Sequence, residues 1–131
     1  TKIGHGCTPL TLGWFLYRMN QFQRAEQYAQ SLLDELEPDD IERGNVYNLL
    51  GLINKETNRI EDAIEDYRQA LEHLNRCDVP DSPRLIAAHY NIALAYLASG
   101  QAELAHEHYE EAKKILSFHP SGTPLLEAML E

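Results

Sequence analysis

The sequence has few cysteines, no long apolar run and no leader-like start. Its two cysteines, Cys7 and Cys77, lie 70 positions apart, which matches neither a disulfide framework nor a metal-ligand spacing. No stretch approaches the roughly 18 apolar residues of a membrane span, and no signal-peptide pattern is present. We therefore expect a reduced, cytoplasmic setting without a membrane partner. Because Thr1 is not an initiator methionine, we also expect a segment of a longer protein.

Basic residues are scarce as well. The chain has 11 lysines and arginines against 21 acidic residues, a net charge of −10. A nucleic-acid-binding surface needs a basic stripe to neutralise phosphates, so nucleic acid is excluded as a partner. Six acidic residues occur in "DELEPDDIE", residues 34–42. This run is either a solvated corner between helices or a site for a basic partner.

The sequence lacks a recognisable catalytic constellation. Its six histidines are scattered, and we expect them at the surface. His106 and His108 are two positions apart, so on a helix they point in different directions and cannot share a metal as an i, i+4 pair does. The "GHGC" near the start has no following strand and no phosphate-loop lysine. We therefore predict a non-enzyme with no catalytic residue, no metal and no cofactor.

The sequence does contain an internal repeat built from helical periods. Three segments align without a gap on Ala25, Ala63 and Ala105. Twelve residues before each alanine stands another small residue, which lets two helices of a hairpin approach closely. Five residues before each alanine stands Asn or Gly, the types that end a helix in the left-handed conformation. Bulky residues four positions after two of the alanines are expected to fill wider gaps between hairpins. These sets are Gly13, Gly51 and Ala93; Asn20, Asn58 and Gly100; and Tyr67 and Tyr109.

Helix starts are marked by a capping hydroxyl followed by proline. The pairs are Thr8-Pro9, Ser82-Pro83 and Thr123-Pro124, and Pro38 has a similar role before the second hairpin. No segment alternates as a strand would. The pattern predicts an all-α chain with helices at 9–19, 22–36, 40–57, 60–76, 83–98 and 102–117. A seventh helix is predicted to start at 124.

These residues resemble the tetratricopeptide repeat family. The resemblance covers nearly the whole chain as one domain, 1–131, with repeats at about 6–38, 39–81 and 82–119 and the start of a fourth or capping helix at 123–131. The spacings from Ala25 to Ala63 and from Ala63 to Ala105 are 38 and 42 residues, longer than the usual 34 and similar to kinesin-light-chain repeats. The resemblance implies a right-handed α-solenoid of three helical hairpins plus a C-terminal helix.

The resemblance also implies a concave groove that binds a peptide or helical segment of another protein. Its groove positions fall on Trp14, Tyr17, Asn48, Leu52, Tyr90, Asn91 and Leu94. Asparagine can pair with a peptide backbone through donor and acceptor, and the aromatic residues can anchor an apolar side chain. The alternative is that several of these residues pack on neighbouring repeats. The acidic excess favours a ligand with a basic flank.

Two functions follow from the resemblance. The first is a non-enzymatic scaffold or adaptor for protein–protein interaction. The second is a regulatory or targeting module of a larger enzyme, for example an ADP-ribosyltransferase, whose catalytic domain lies elsewhere. Self-association through the array ends is compatible with both. A two-carboxylate clamp of the kind that holds chaperone tails is excluded, because its positions carry Leu10, Trp14, Leu49, Ala87 and Asn91.

Overall fold

The structure is a computed structural model that describes residues 9–76 and 82–117, and this part of the chain contains helices and no strand. The helices are α1 (Pro9–Arg18), α2 (Phe22–Glu35), α3 (Glu42–Glu56), α4 (Ile60–Asn75), α5 (Ser82–Ala98) and α6 (Ala102–Ser117). The all-α prediction is confirmed, and each predicted boundary lies within two residues of the observed one. The predicted seventh helix, with Thr123-Pro124, and the capping residue Thr8 lie outside the described residues.

The second hairpin shows the largest boundary difference. We predicted a helix from residue 40, whereas α3 begins at Glu42. The chain first makes a turn in which the N–H of Asp40 donates to the carbonyl of Glu37 at 3.0 Å. Oδ1 of Asp40 then accepts a hydrogen bond from the N–H of Glu42 at 2.9 Å. Asp40 therefore caps the helix from outside and satisfies one of the free amides of its first turn.

The three hairpin turns share one geometry. Asn20, Asn58 and Gly100 have φ angles of 61°, 64° and 85°, the left-handed values that the sequence predicts. After each of them the next N–H donates to a carbonyl five residues back, as from Arg59 to Asn54 at 2.7 Å. Each of the three also donates its own N–H three residues back, as from Asn58 to Lys55 at 3.1 Å. This pair of bonds is the Schellman motif, which closes the end of the first helix in every hairpin.

Small residues bring the helices together, but not only within hairpins. A Cβ at Gly51 would lie 2.6 Å from Cδ1 of Tyr67. Tyr67 therefore packs against the glycine of its own hairpin, and its ring also belongs to the apolar cluster that α4 shares with α5. A Cβ at Gly13 would lie 2.9 Å from Cδ2 of Leu49, which belongs to the next hairpin. The expected division, small residues within hairpins and aromatic residues between them, is therefore confirmed for Gly51, while Tyr67 packs both within its hairpin and between hairpins and Gly13 also approaches the next hairpin.

The hairpins stack through two main apolar clusters. The first cluster joins α1 and α2 to α3 and contains Leu10, Ala25, Leu49 and Leu50. The second joins α4 to α5 and α6. Successive odd-numbered helices also contact each other directly, α1 with α3 and α3 with α5. The odd-numbered helices therefore form a continuous row along one side of the array, which we call the inner surface.

Polar contacts tie the first hairpin to the second. Nη1 of Arg43 in α3 donates to the carbonyls of Leu33 and Leu36 at 2.9 and 3.2 Å. It therefore satisfies acceptors at the end of α2. Nη2 of Arg59 forms an ion pair with Oε1 of Glu26 at 3.1 Å, and this pair is partly exposed. We expect the buried apolar clusters to contribute most of the stacking energy, because exposed ion pairs contribute little.

Candidate functional site: the inner surface

Two asparagines from different hairpins meet on the inner surface. Nδ2 of Asn91 in α5 donates to Oδ1 of Asn48 in α3 at 3.2 Å, and both side chains are partly buried. This bond uses one of the two N–H groups of Asn91 and one of the two acceptor sites of Asn48. The remaining N–H groups of Asn48 and the oxygen of Asn91 make no other hydrogen bond with the described residues. The pair therefore presents a donor and an acceptor side by side at the contact between α3 and α5.

Two aromatic residues lie at the α1 end of the same surface. The rings of Trp14 and Tyr17 pack edge to face, with centroids 6.0 Å apart and planes at 89°, and Phe22 adjoins Tyr17 at 5.7 Å. Both residues are partly buried against the cluster of the first two hairpins. Burial, reinforced by the carboxylate of Glu56, raises the pKa of Tyr17, so its hydroxyl remains a hydrogen-bond donor at neutral pH.

Leu52 and Trp14 occupy equivalent positions of successive hairpins. Leu52 is partly buried and packs on the cluster that contains α4, α5 and α6, and Trp14 packs on the cluster of the first two hairpins. Both therefore contribute to hairpin stacking and keep only part of their surface exposed. Leu52 and Trp14 thus partly follow the alternative given above, in which some predicted groove residues pack on neighbouring repeats.

Tyr90 and Leu94 line a separate apolar depression of about 440 Å³ at the third hairpin. We call this depression, with all its lining residues, the end groove. It lies between α5 and α6, and the side chain of Leu97 at its rim is 57% exposed. Of the seven predicted site residues, the structure therefore brings Asn48 and Asn91 together, pairs Trp14 with Tyr17, and sets Tyr90 and Leu94 in the end groove. The full lining is Tyr90, Ala93, Leu94, Leu97, Ala102, Ala105, His106 and Tyr109.

Sequence reasoning missed a histidine pair between α5 and α6. Nδ1 of His89 and Nδ1 of His108 are 3.0 Å apart, and the His108 ring stacks on Tyr96 with centroids 5.6 Å apart. Both histidines are partly buried, so the expectation of surface histidines was wrong for them. Burial, with a smaller contribution from His108, lowers the pKa of His89 to about 4. Burial also lowers the pKa of His108.

The histidine pair is neutral at physiological pH, because both pKa values are depressed. One Nδ1 then donates its proton to the other. In the described part of the chain, no group of three or more His, Cys, Asp or Glu side chains could hold a metal ion. No local pattern in the sequence pairs the two histidines, because they stand 19 residues apart on different helices.

Comparison with known proteins identifies the family. The sequence profile of the tetratricopeptide repeat matches residues 42–117, more than half of the chain. The chain belongs to the tetratricopeptide repeat family. Tetratricopeptide repeats generally serve as modules for protein–protein interaction. No curated protein sequence matches the chain significantly.

Solved structures show the same fold. The N-terminal domain of stress-induced protein-1 (STI-1) from C. elegans superimposes with a TM-score of 0.70 at 19% identity, over 93% of this chain and 88% of that one. MamA AMB-1 superimposes with a TM-score of 0.64 at 20% identity, over 94% of this chain but 58% of that one. At these identities the likeness concerns the fold. No helix among the described residues is long and apolar enough to cross a membrane.

Proposed function

We propose that this tetratricopeptide repeat domain is a non-enzymatic scaffold that binds a peptide or helical segment of a partner protein on its inner surface. The observation that carries the proposal is the hydrogen bond between Asn48 and Asn91. It joins two hairpins and leaves the N–H groups of Asn48 and the oxygen of Asn91 for a ligand. A peptide backbone offers the complementary acceptor and donor in every residue.

Apolar anchors stand on the α1 side of the asparagine pair. Trp14 and Tyr17 have amphipathic rings with part of their surface exposed, and such residues are enriched among those that dominate binding energy. A ligand whose backbone pairs with the asparagines and whose apolar side chain contacts Trp14 would use both features. Leu52, Tyr90 and Leu94 complete the set proposed to contribute apolar contact.

The charge of the domain supports a ligand with a basic flank. With a net charge of −10, the domain attracts cationic segments over several ångströms, and salt screens this attraction. Association should therefore be faster at low salt, whereas dissociation should change less. The two widely spaced cysteines support a reduced, cytoplasmic setting for this binding.

The test uses a peptide selected from a random displayed library on the wild-type domain. The double variant Asn48→Ala/Asn91→Ala should weaken binding of that peptide by about 1–3 kcal/mol, because the peptide's polar groups lose their partners. The melting temperature should change little, because replacing both members of a hydrogen bond leaves no polar group without its partner. Calorimetric titration measures the affinity, and thermal unfolding monitors the fold.

The matched control removes the same kind of side-chain amide from an outer helix. Gln27→Ala/Gln30→Ala in α2 removes two exposed carboxamides away from the inner surface, and the peptide should bind it as it binds wild type. Equal affinity for all three proteins would contradict the proposal, as would weakening by the outer-helix variant alone.

A further inference from the structure

A hydrogen bond between two histidines joins the two helices of the third hairpin. Nδ1 of His89 in α5 lies 3.0 Å from Nδ1 of His108 in α6. A bond between two ring nitrogens needs one hydrogen and one lone pair, so one ring donates and the other accepts. Both rings are partly buried, and that of His108 also stacks on Tyr96. The contact lies inside the hairpin, so it does not depend on the surfaces at the ends of the array.

This bond can survive one added proton but not two. The first proton can enter at Nε2 of the donating ring, and the charged ring then donates to its neutral partner. The second proton must take the lone pair of the accepting Nδ1. Two N–H groups then face each other at 3.0 Å without an acceptor between them, and two positive charges adjoin. The second protonation therefore breaks the contact, and the rings must turn away from each other.

Burial lowers the pKa of both histidines, and charged groups among the described residues modify this effect. Glu111 of α6 favours protonation of both rings. Glu107 of α6 favours and Arg68 of α4 disfavours protonation of His108. Both glutamates are exposed, so solvent screens their charges. The contact is therefore intact at neutral pH, and its contribution is lost as the pH falls from the unfolded pKa of about 6.5 toward the folded pKa of His89, about 4.

The second hairpin has a contact at the equivalent place that acid does not break. Asn54 and Asp66 lie 42 residues before Tyr96 and His108, and Nδ2 of Asn54 donates to Oδ2 of Asp66 at 2.5 Å. A protonated carboxyl group keeps an accepting oxygen, so Asp66 can accept this bond in either state. Burial raises the pKa of Asp66 to about 6, so the second hairpin becomes more stable as the pH falls from about 6 to 4. Acid therefore weakens the third hairpin selectively.

Helix α5 connects the histidine pair with the inner surface. Asn91 follows His89 by two residues and donates to Asn48 of α3 at 3.2 Å. On its other side α5 packs on α6, where Ile86 and Ala112 share a buried cluster. When α6 separates from α5, these contacts are lost and Asn91 no longer has a fixed place beside Asn48.

We propose that the contact between His89 and His108 is an acid-sensitive lock on the third hairpin, and that opening of this hairpin and binding of a ligand at the asparagine pair exclude each other. In a repeat array each hairpin contacts only its neighbours, so one hairpin can open while the others stay folded. Acid then promotes release of the ligand in proportion to the fraction of open hairpin. The lock stands on the histidine contact alone, whereas the coupling to a ligand rests on the function proposed above.

The lock is tested by amide hydrogen exchange of the 131-residue chain at pH 7 and pH 5. Each rate is compared with the intrinsic rate at the same pH, which gives a protection factor. In wild type, protection of the α6 amides should fall about fivefold or more, because the histidines take up protons when the hairpin opens. Protection of the α4 amides should not fall. A wild type whose α6 protection is the same at both pH values would overturn the lock.

Three variants test the cause of this fall. His89→Asn/His108→Asn pairs two carboxamides that do not titrate, so its α6 protection should not fall. His108→Asn alone keeps an oxygen that accepts from His89 in either charge state, so its α6 protection should fall less than that of wild type. His106→Asn changes a histidine of the same helix whose side chain is 71% exposed, and it should respond like wild type. Circular dichroism at pH 7 should be the same for all four proteins. A fall as large as that of wild type in both variants that change His108 would overturn the lock.

The coupling is tested at pH 5 with the library-selected peptide. At ten times its dissociation constant, a ligand that binds only the closed hairpin raises the α6 protection of wild type by about tenfold. Unchanged α6 protection with the peptide bound would overturn the coupling and leave the lock in place. A peptide that binds wild type and Asn48→Ala/Asn91→Ala equally at pH 7 would instead contradict the proposed function, and the exchange results without peptide would still decide on the lock.

Discussion

Replacing Gly51 by alanine tests how closely the helices of the second hairpin approach. The added Cβ would lie 2.6 Å from Cδ1 and 2.9 Å from Cζ of Tyr67, closer than carbon atoms can pack. Tyr67 is fully buried, so its ring has no solvent side to move into. Overpacking of this kind costs about 1–3 kcal/mol. Alanine in a helix interior gains about 1 kcal/mol over glycine. We therefore expect Gly51→Ala to lower the free energy of unfolding by up to about 2 kcal/mol.

The effect of Gly51→Ala on the free energy of unfolding should change sign when the ring of Tyr67 is removed. In a Tyr67→Val background the clash is gone, and Gly51→Ala should raise the free energy of unfolding by up to about 1 kcal/mol through helix propensity alone. Urea unfolding of the four proteins, followed by circular dichroism at 222 nm, gives the coupling directly. Gly13→Ala is a comparison, because its Cβ would meet the terminal methyl of Leu49, which can rotate away. If Gly51→Ala stabilises the wild-type background, the reasoning about the close approach is refuted.

Two further predictions concern buried polar groups. The hydroxyl of Tyr67 is buried without a hydrogen-bond partner among the described residues, so Tyr67→Phe should be as stable as wild type or up to about 1 kcal/mol more stable in thermal unfolding; a loss larger than 1 kcal/mol would reveal a bond that the structure lacks. Burial lowers the pKa of His89 to about 4, below the unfolded value of about 6.5, so its contribution to stability is complete above pH 6.5 and is lost as the pH falls toward 4. Burial raises the pKa of Asp66 to about 6, so this carboxyl makes the protein more stable as the pH falls from about 6 to 4, opposite to His89. The quantity to measure is therefore the difference in free energy of unfolding between wild type and His89→Gln, in which the contribution of Asp66 cancels. That difference should shrink by about 1 kcal/mol from pH 7 to pH 5, after allowance for partial exposure of the imidazole, and a difference independent of pH would show that the pair is not buried in solution.

The hairpins could be predicted from the sequence because their determinants are local. Asn20, Asn58 and Gly100 are types that adopt positive φ, and each stands at a fixed distance from a buried alanine. Proline and short polar residues mark the helix starts, and α3 deviates only because Asp40 caps from the turn before it. Each of these signals acts over a few residues, so the order and limits of the helices follow from the chain alone.

Contacts between hairpins could not be predicted in the same way. Whether Asn48 meets Asn91, 43 residues later, depends on the rotation of α5 against α3. The pairing of His89 with His108 depends on the rotation of α6 against α5. Equivalent positions also differ in exposure, since Trp14 is packed at a junction and Leu94 lines the end groove. A repeat pattern assigns a residue to a helix face, and the number of neighbouring hairpins decides whether that face is covered.

The location of a bound peptide tests the central claim most directly. Amide chemical shifts of the isotopically labelled domain, recorded during titration with the library-selected peptide, report binding residue by residue. The account predicts that the largest changes occur in α1, α3 and α5, centred on Asn48 and Asn91, and that the side-chain amide signals of these two asparagines shift as well. Changes confined to α2, α4 and α6 would place the ligand on the outer face and contradict the account.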